Sequence, residues 1–147
     1  MTDTTLPEIG RDWYISQVIS NGIIAVLLDE STAFQDNFGM SDFIANEVGD
    51  SGYSRVNSVT LTKQSTSTTS GEEVTFYVTN QIEFINNGSS PFSFTHLTLI
   101  TGGNTTKGNT DGVIIYLAEL NGASGVTLNS GQPFRHIATI GFKNVIE

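Results

Sequence analysis

His96 and His136 are the side chains of this chain best suited to proton transfer or metal binding. They lie 40 positions apart, in segments that read as strands. Two histidines with a carboxylate would suit a non-haem metal site. Such sites, however, ask for three ligands in a set geometry. Thr95 and Leu97 flank His96, and Arg135 precedes His136, so both read as hydrogen-bonded structural histidines. A Ser-His-Asp triad needs a serine on a strained turn, and no G-x-S-x-G stretch occurs. A carboxylate pair for glycoside chemistry would have to come from Glu83, Glu119 and the acidic N-terminal half. Gly102-Gly103-Asn104 and Gly108 belong to a loop with no helix behind it, unlike a phosphate cradle. The chain has no cysteine, which excludes disulfides, thiolate zinc sites and cysteine nucleophiles. The expectation is a protein that is not an enzyme and holds no cofactor and no metal.

The elements behind these residues are β-rich. The chain has 147 residues, with 15 Ser, 19 Thr, 12 Asn and 15 Gly, and only 14% are charged. That length suits one domain with an ordinary core. Hydroxyls and amides in place of Leu, Lys and Glu mark a β protein. The net charge is −9, which argues against nucleic acid as a partner. No run reaches the 18 or so apolar residues of a membrane span, and residues 1–8 lack the pattern of a signal peptide. The expectation is therefore no membrane and no Sec export. Residues 1–50 hold nine acids and only one base, Arg11, whereas residues 51–147 hold six acids and five bases. The acidic half reads either as a solvated loop face or as a surface for a basic partner.

Along the chain, residues 1–22 read as an extended N-terminal arm or first strand, with Trp13 to Val18 either strand or short helix. Residues 23–147 read as a single β-sandwich domain. The run Ile23 to Leu28 (IIAVLL) suits a strand buried on both faces. Residues 29–52 are irregular. Ser41 is a candidate N-cap for at most one short helix near residues 41–48. Residues 65–71 (STSTTSG) read as a polar turn or loop. Residues 74–84 alternate strictly, with Val74, Phe76, Val78, Ile82 and Phe84 as the apolar face and a bend near Asn80. Seven or eight short strands with Gly/Asn/Ser punctuation predict an all-β fold. The form expected is an antiparallel β-sandwich with jelly-roll-like topology. Phe34, Phe38 and Phe43 fall in the irregular acidic segment, where they either cover an open end of the sandwich or insert into a neighbour. With Trp13, Tyr14, Asp36 and Asp42 they form the expected partner interface.

The order of features resembles that of small virion structural proteins of tailed bacteriophages, of the head-decoration or tail-fibre-associated type. The matching residues are Glu47, Val48, Gly49, Gly52, Tyr53 and Arg55, then Thr95, His96 and Leu99, then Val126, Thr127, Leu128, Gly131 and Phe134. The resemblance covers residues 23–142. It implies a capsid decoration (cement) subunit in the virion, assembled in the host cytoplasm. The implied partners are the major capsid protein or other virion proteins and further copies of the chain, as a trimer. The alternative is a tail, baseplate or fibre module that binds host glycan, through loops 86–91 and 102–112, or another tail protein. No catalytic residue is implied.

Overall fold

The computed structural model describes residues 4–5, 7–29, 39–69, 72–143 and 145–146. The elements in chain order are β1 (Thr4–Thr5), α1 (Glu8–Ser20), β2 (Ile23–Leu28), α2 (Met40–Phe43), β3 (Val56–Val59), β4 (Leu61–Thr69) and β5 (Glu72–Thr79). They continue with β6 (Ile82–Ile85), β7 (Phe92–Phe94), β8 (His96–Thr101), β9 (Val113–Glu119), β10 (Val126–Leu128), β11 (Pro133–His136), β12 (Thr139–Lys143) and β13 (Val145–Ile146). More strands are described than the seven or eight expected, because long strands break at Thr60, Asn80–Gln81, Thr95 and Ile137–Ala138.

All pairings are antiparallel, and from β5 onward they nest. β8 pairs with β9, β7 with β10, β6 with β11 and β5 with β12, while β1 pairs with β13. This is the winding of a jelly roll, as the sequence predicts. β2 and β3 extend one sheet, in the order β3-β2-β8-β9, and β4 extends the other, in the order β12-β5-β4. The main core lies between the sheets. It contains Ile23, Ala25, Leu27, Phe84, Phe94, Leu97 and Leu99.

β2 is buried on both faces, as expected. Ile23, Ala25 and Leu27 join the main core, while Ile24, Val26 and Leu28 join Met40, Phe43 and Ile100 in a second one. α2 is what covers this outer face of the sheet. Each large apolar side chain so buried contributes roughly 1.5–3 kcal/mol. The short helix starts at Met40, one residue before Ser41, and continues as one 3₁₀ turn over Ile44–Asn46. Gly39 is its N-cap and donates its N–H to Asp42 Oδ2 at 2.7 Å. Asp42 is thus the acceptor that reaches back from the first turn.

Three expectations are corrected. First, the lead-in 1–22 is mainly helix, because α1 spans thirteen of its residues. Its sequence signals are weak, since no side chain caps its start, and docking onto the sheets decides its conformation. Second, most of the polar run 65–71 is strand, because Ser65 to Thr69 pair with β5 across a bulge after Lys63. Backbone pairing needs no apolar side chain, and Ser and Thr tolerate extended geometry.

Third, the apolar face of residues 74–78 is the outer face. Thr75, Tyr77 and Thr79 are buried, whereas Val74, Phe76 and Val78 are half-exposed. The break at Asn80–Gln81 reverses the alternation, so Ile82 and Phe84 point inward again. The bend expected near Asn80 is therefore present, and it divides the two faces. The ring of Phe76 lies over its cross-strand partner Gly141.

One close approach of backbone fixes a corner of the sandwich. A Cβ on Gly52 would fall 2.1 Å from Asn86 Oδ1 and 2.6 Å from the Gly88 nitrogen. Asn86 is fully buried. Its amide donates to the carbonyls of Ser90 and Leu128, and its oxygen accepts from Gly88 N–H. Gly52→Ala should therefore cost about 3 kcal/mol through overpacking and loss of this bonding. Urea unfolding is the measurement, and the midpoint should fall at unchanged slope.

Candidate interaction surface

α1 inverts the usual arrangement of a surface helix. Arg11 is buried beneath it, Glu8 and Asp12 pair with Lys63 at its half-exposed flank, and several of its exposed residues are apolar. Arg11 is 1% exposed. It donates from Nε and Nη2 to Thr75 Oγ1 at 3.3 and 3.0 Å and pairs with Glu73. Asp12 accepts from Tyr77 Oη, and Lys63 Nζ reaches both Asp12, at 3.1 Å, and Glu8. Ile15 and Val18 add an apolar contact with the core, and Thr101 Oγ1 donates to the Val18 carbonyl at 3.0 Å. The helix thus spans from the β12-β5-β4 sheet to the end of β8.

This network sets the local ionisation. The bonds from Tyr77 and Lys63 hold the Asp12 carboxyl below its usual range. Burial and the facing carboxylate push the Tyr77 phenol up to about 12. Part of the expected acidic face is therefore bonded within the protein. Glu8 and Asp12 pair with Lys63, Glu47 pairs with Arg55, and Arg11 pairs with Glu73.

The outer side of α1 carries Ile9, Trp13, Tyr14 and Ile19, at 84%, 57%, 52% and 46% exposure. Trp13 and Tyr14 meet edge to face at 5.3 Å, and Tyr14 meets Phe142 at 6.4 Å. Two of the expected interface residues, Trp13 and Tyr14, are thus presented together on a rigid element. The others differ. Phe43 is only 3% exposed and packs into the core under α2, because the outer face of β2 must be covered. Asp42 is exposed and caps that helix. Phe34, Asp36 and Phe38 lie outside the described residues. Ile9 carried no signal in the sequence, since only a helix sets it one turn before Trp13, and Ile19 is exposed on another side of the helix.

A second constellation gathers the motif residues Glu47, Tyr53 and Arg55. Asn46 to Val48 run beside the end of β2, with a bridge between Leu28 and Glu47. Arg55 Nε and Nη2 grip the two Glu47 oxygens at 2.8 Å each, and both side chains are almost fully buried. Arg55 also donates to the carbonyls of Asn104 and Asn109, at 2.9 Å each. Glu47 accepts further from Tyr53 Oη and from Gly108 N–H, both at 2.7 Å. Tyr53 Oη accepts in turn from Leu27 N–H at 3.2 Å. Lys107 donates to the carbonyls of Gly49 and Asp50 and sits 5.6 Å from the Tyr53 ring. The motif therefore clamps loop 102–112 onto segment 46–50. A shallow groove of about 400 Å³ runs beside it, lined in part by Asp29, Asn46, Asp50, Phe92, Ser93 and Thr127.

Both histidines make polar contacts within the protein. His96 is buried, with Nδ1 2.8 Å from Thr95 Oγ1. His136 Nε2 lies 3.3 Å from Tyr116 Oη, and burial lowers its pKa. Among the described residues no group of three or more His, Asp or Glu is placed to hold a metal ion. No helix among them is long and apolar enough to cross a membrane.

Arg55→Met should cost about 3–5 kcal/mol, because it strands Glu47 as a buried carboxylate without its counter-ion. Proteolysis within 104–109 should quicken alongside the loss of stability. The pH dependence follows from Glu47. Burial pushes its carboxyl up, but the bonds from Arg55, Tyr53 and Gly108 outweigh this and hold it below its ordinary value of 4.5. A lowered folded pKa gives stability that is complete above that ordinary value and drains as pH falls through the folded one. Urea midpoints should fall more steeply below about pH 4.5 for the wild type than for Glu47→Gln.

Comparison of the chain with protein-family models, with curated proteins and with solved structures found no match in any of the three.

Proposed function

We propose that this chain is a structural subunit of a virion, acting as a capsid decoration protein through surface contacts and not through catalysis. The observation that carries this reading is the outer face of α1. Ile9, Trp13 and Tyr14 stand exposed together on a helix that a polar network bolts to the sheet beneath. Exposed aromatics on a rigid base favour association, because few rotamers are lost when the surface is covered. The order of the motifs along residues 23–142 supports the virion context. The clamp at Glu47 and Arg55 supports a mechanical role, since buried charge here holds a loop in place. The acids at Asp29 and Asp50, beside the groove, remain for contact with basic capsid surface.

Quantitative mass spectrometry of purified particles is the direct test. A decoration protein should match capsid subunits in order of abundance, whereas a few copies per particle would transfer the chain to the tail. In the same particles Trp13→Ala should weaken binding by about 2 kcal/mol, roughly thirtyfold. Undiminished occupancy of that variant would remove α1 from the docking surface.

A further inference from the structure

α1 and α2 are held to their sheets by opposite means. α2 is held by apolar burial, since Met40 and Phe43 pack with Ile24, Val26, Leu28 and Ile100. α1 is held mainly by charge. Its three charged residues, Glu8, Arg11 and Asp12, all bond to β4 or β5, through Lys63, Glu73, Thr75 and Tyr77. Its apolar hold is smaller, because Ile15 and Val18 are only partly buried. We infer that α1 is a strap that lifts from the sandwich while the two sheets stay intact, and that the surrounding salt sets how often it lifts. This property does not depend on the virion role proposed above.

Lifting α1 uncovers little apolar surface. The part of β5 beneath it presents the hydroxyls of Thr75 and Tyr77, which water can serve once Arg11 and Asp12 withdraw. Arg11 and Glu73 both return to water, so neither is left as a buried ion without its partner, the case that makes a broken pair costly. The hydrophobic loss is confined to Ile15, Val18 and the ring of Tyr77. A helix of thirteen residues is marginal in water by itself, so α1 unwinds when it lifts. Its downstream end is the Asn21–Gly22 turn, where Gly22 has a φ of +82° and open space around it. Such a turn gives the chain a pivot. Upstream, the pairing of β1 with β13 remains as a tether.

Salt acts on the strap and on the body in opposite senses. Lys63, Glu8 and Asp12 are partly exposed, so dissolved ions screen their attraction. The chain carries a net charge of −9, and the same ions relieve its self-repulsion. Rising salt therefore loosens α1 and leaves the sheets as firm or firmer. Ile9, Trp13 and Tyr14 ride on the strap. Docked, α1 is the rigid base of that exposed ridge; lifted, it is not. The ionic surroundings thus govern how much of the time the ridge is presented.

Native-state hydrogen exchange of the full chain, read by mass spectrometry, tests the strap. α1 should exchange through an opening that urea accelerates only weakly, whereas β2 and β8 should open only with the whole fold. Raising NaCl from about 0.05 M to about 1 M should speed exchange in α1 about threefold. Under the same change β2 and β8 should exchange at an equal or lower rate. Lys63→Gln should speed α1 about threefold at low salt, remove most of the further salt effect and leave β2 and β8 unchanged. Arg11→Met should speed α1 at least about tenfold. Equal rates and equal urea slopes for α1 and β2 overturn the strap. A helix that opens early but ignores both salt and Lys63→Gln overturns the hold by charge.

Discussion

Arg55 and Glu47 are nearly inaccessible to water, and the arrangement around them depends on their remaining together. Taking two such ions out of water costs several kcal/mol each. Here the cost is offset by a two-pronged grip at 2.8 Å and by four further bonds, to two loop carbonyls, one loop N–H and one phenol. Three of these four end on loop 102–112 and the fourth on Tyr53. The pair therefore fixes segment 46–50, the approach to β3 and loop 102–112 at a single point. Tyr53 carries the same network to the backbone of β2. Among the described residues every buried polar side-chain atom has a partner. The clamp is thus fully bonded, which is the condition under which buried charge specifies a structure.

The second constraint is the docking of α1, which solves a similar problem with the opposite residues. The β12-β5-β4 sheet turns Thr75 and Tyr77 inward, where hydroxyls need partners. Arg11 and Asp12 supply them. With Arg11 turned inward and Glu8 and Asp12 held by Lys63 at the flank, the exposed side of α1 carries Ile9, Trp13 and Tyr14. The exposed aromatic ridge is in this sense a consequence of the polar interior, and the assembly role proposed for the chain starts from it.

The charge asymmetry along the chain takes on a different meaning in this light. Nine acids against one base in the first fifty residues suggested an acidic surface awaiting a basic partner. Several of those charges turn out to be matched within the protein. Lys63 and Arg55 of the later part answer Glu8, Asp12 and Glu47, and Arg11 answers Glu73. In part, the asymmetry is the means by which the N-terminal segment binds its own sheets. The acidity left for other molecules is smaller and more local, with Asp29 and Asp50 beside the groove.

Much of the fold was legible in the residues themselves. The apolar run IIAVLL announced a strand covered on both sides, and two cores indeed meet on β2. Turn residues marked most strand ends, because Gly and Asn chemistry is local. The Glu47-to-Arg55 motif was visible as a pattern, though its role as a clamp on loop 102–112 was not, since its partners lie some fifty positions away. The helix over residues 8–20 and the inward face of β5 were also beyond the sequence. Alternation shows that a strand has two faces, and hydrophobicity then favours the apolar one as core. In β5 the choice went to Thr75 and Tyr77, because a helix sixty residues earlier brought a guanidinium and a carboxylate to meet them. The sequence by itself determined the strands, the turns and the excess of acid. Only the tertiary structure decided which face is buried and which charges are paired, because both depend on contacts between segments far apart in the chain.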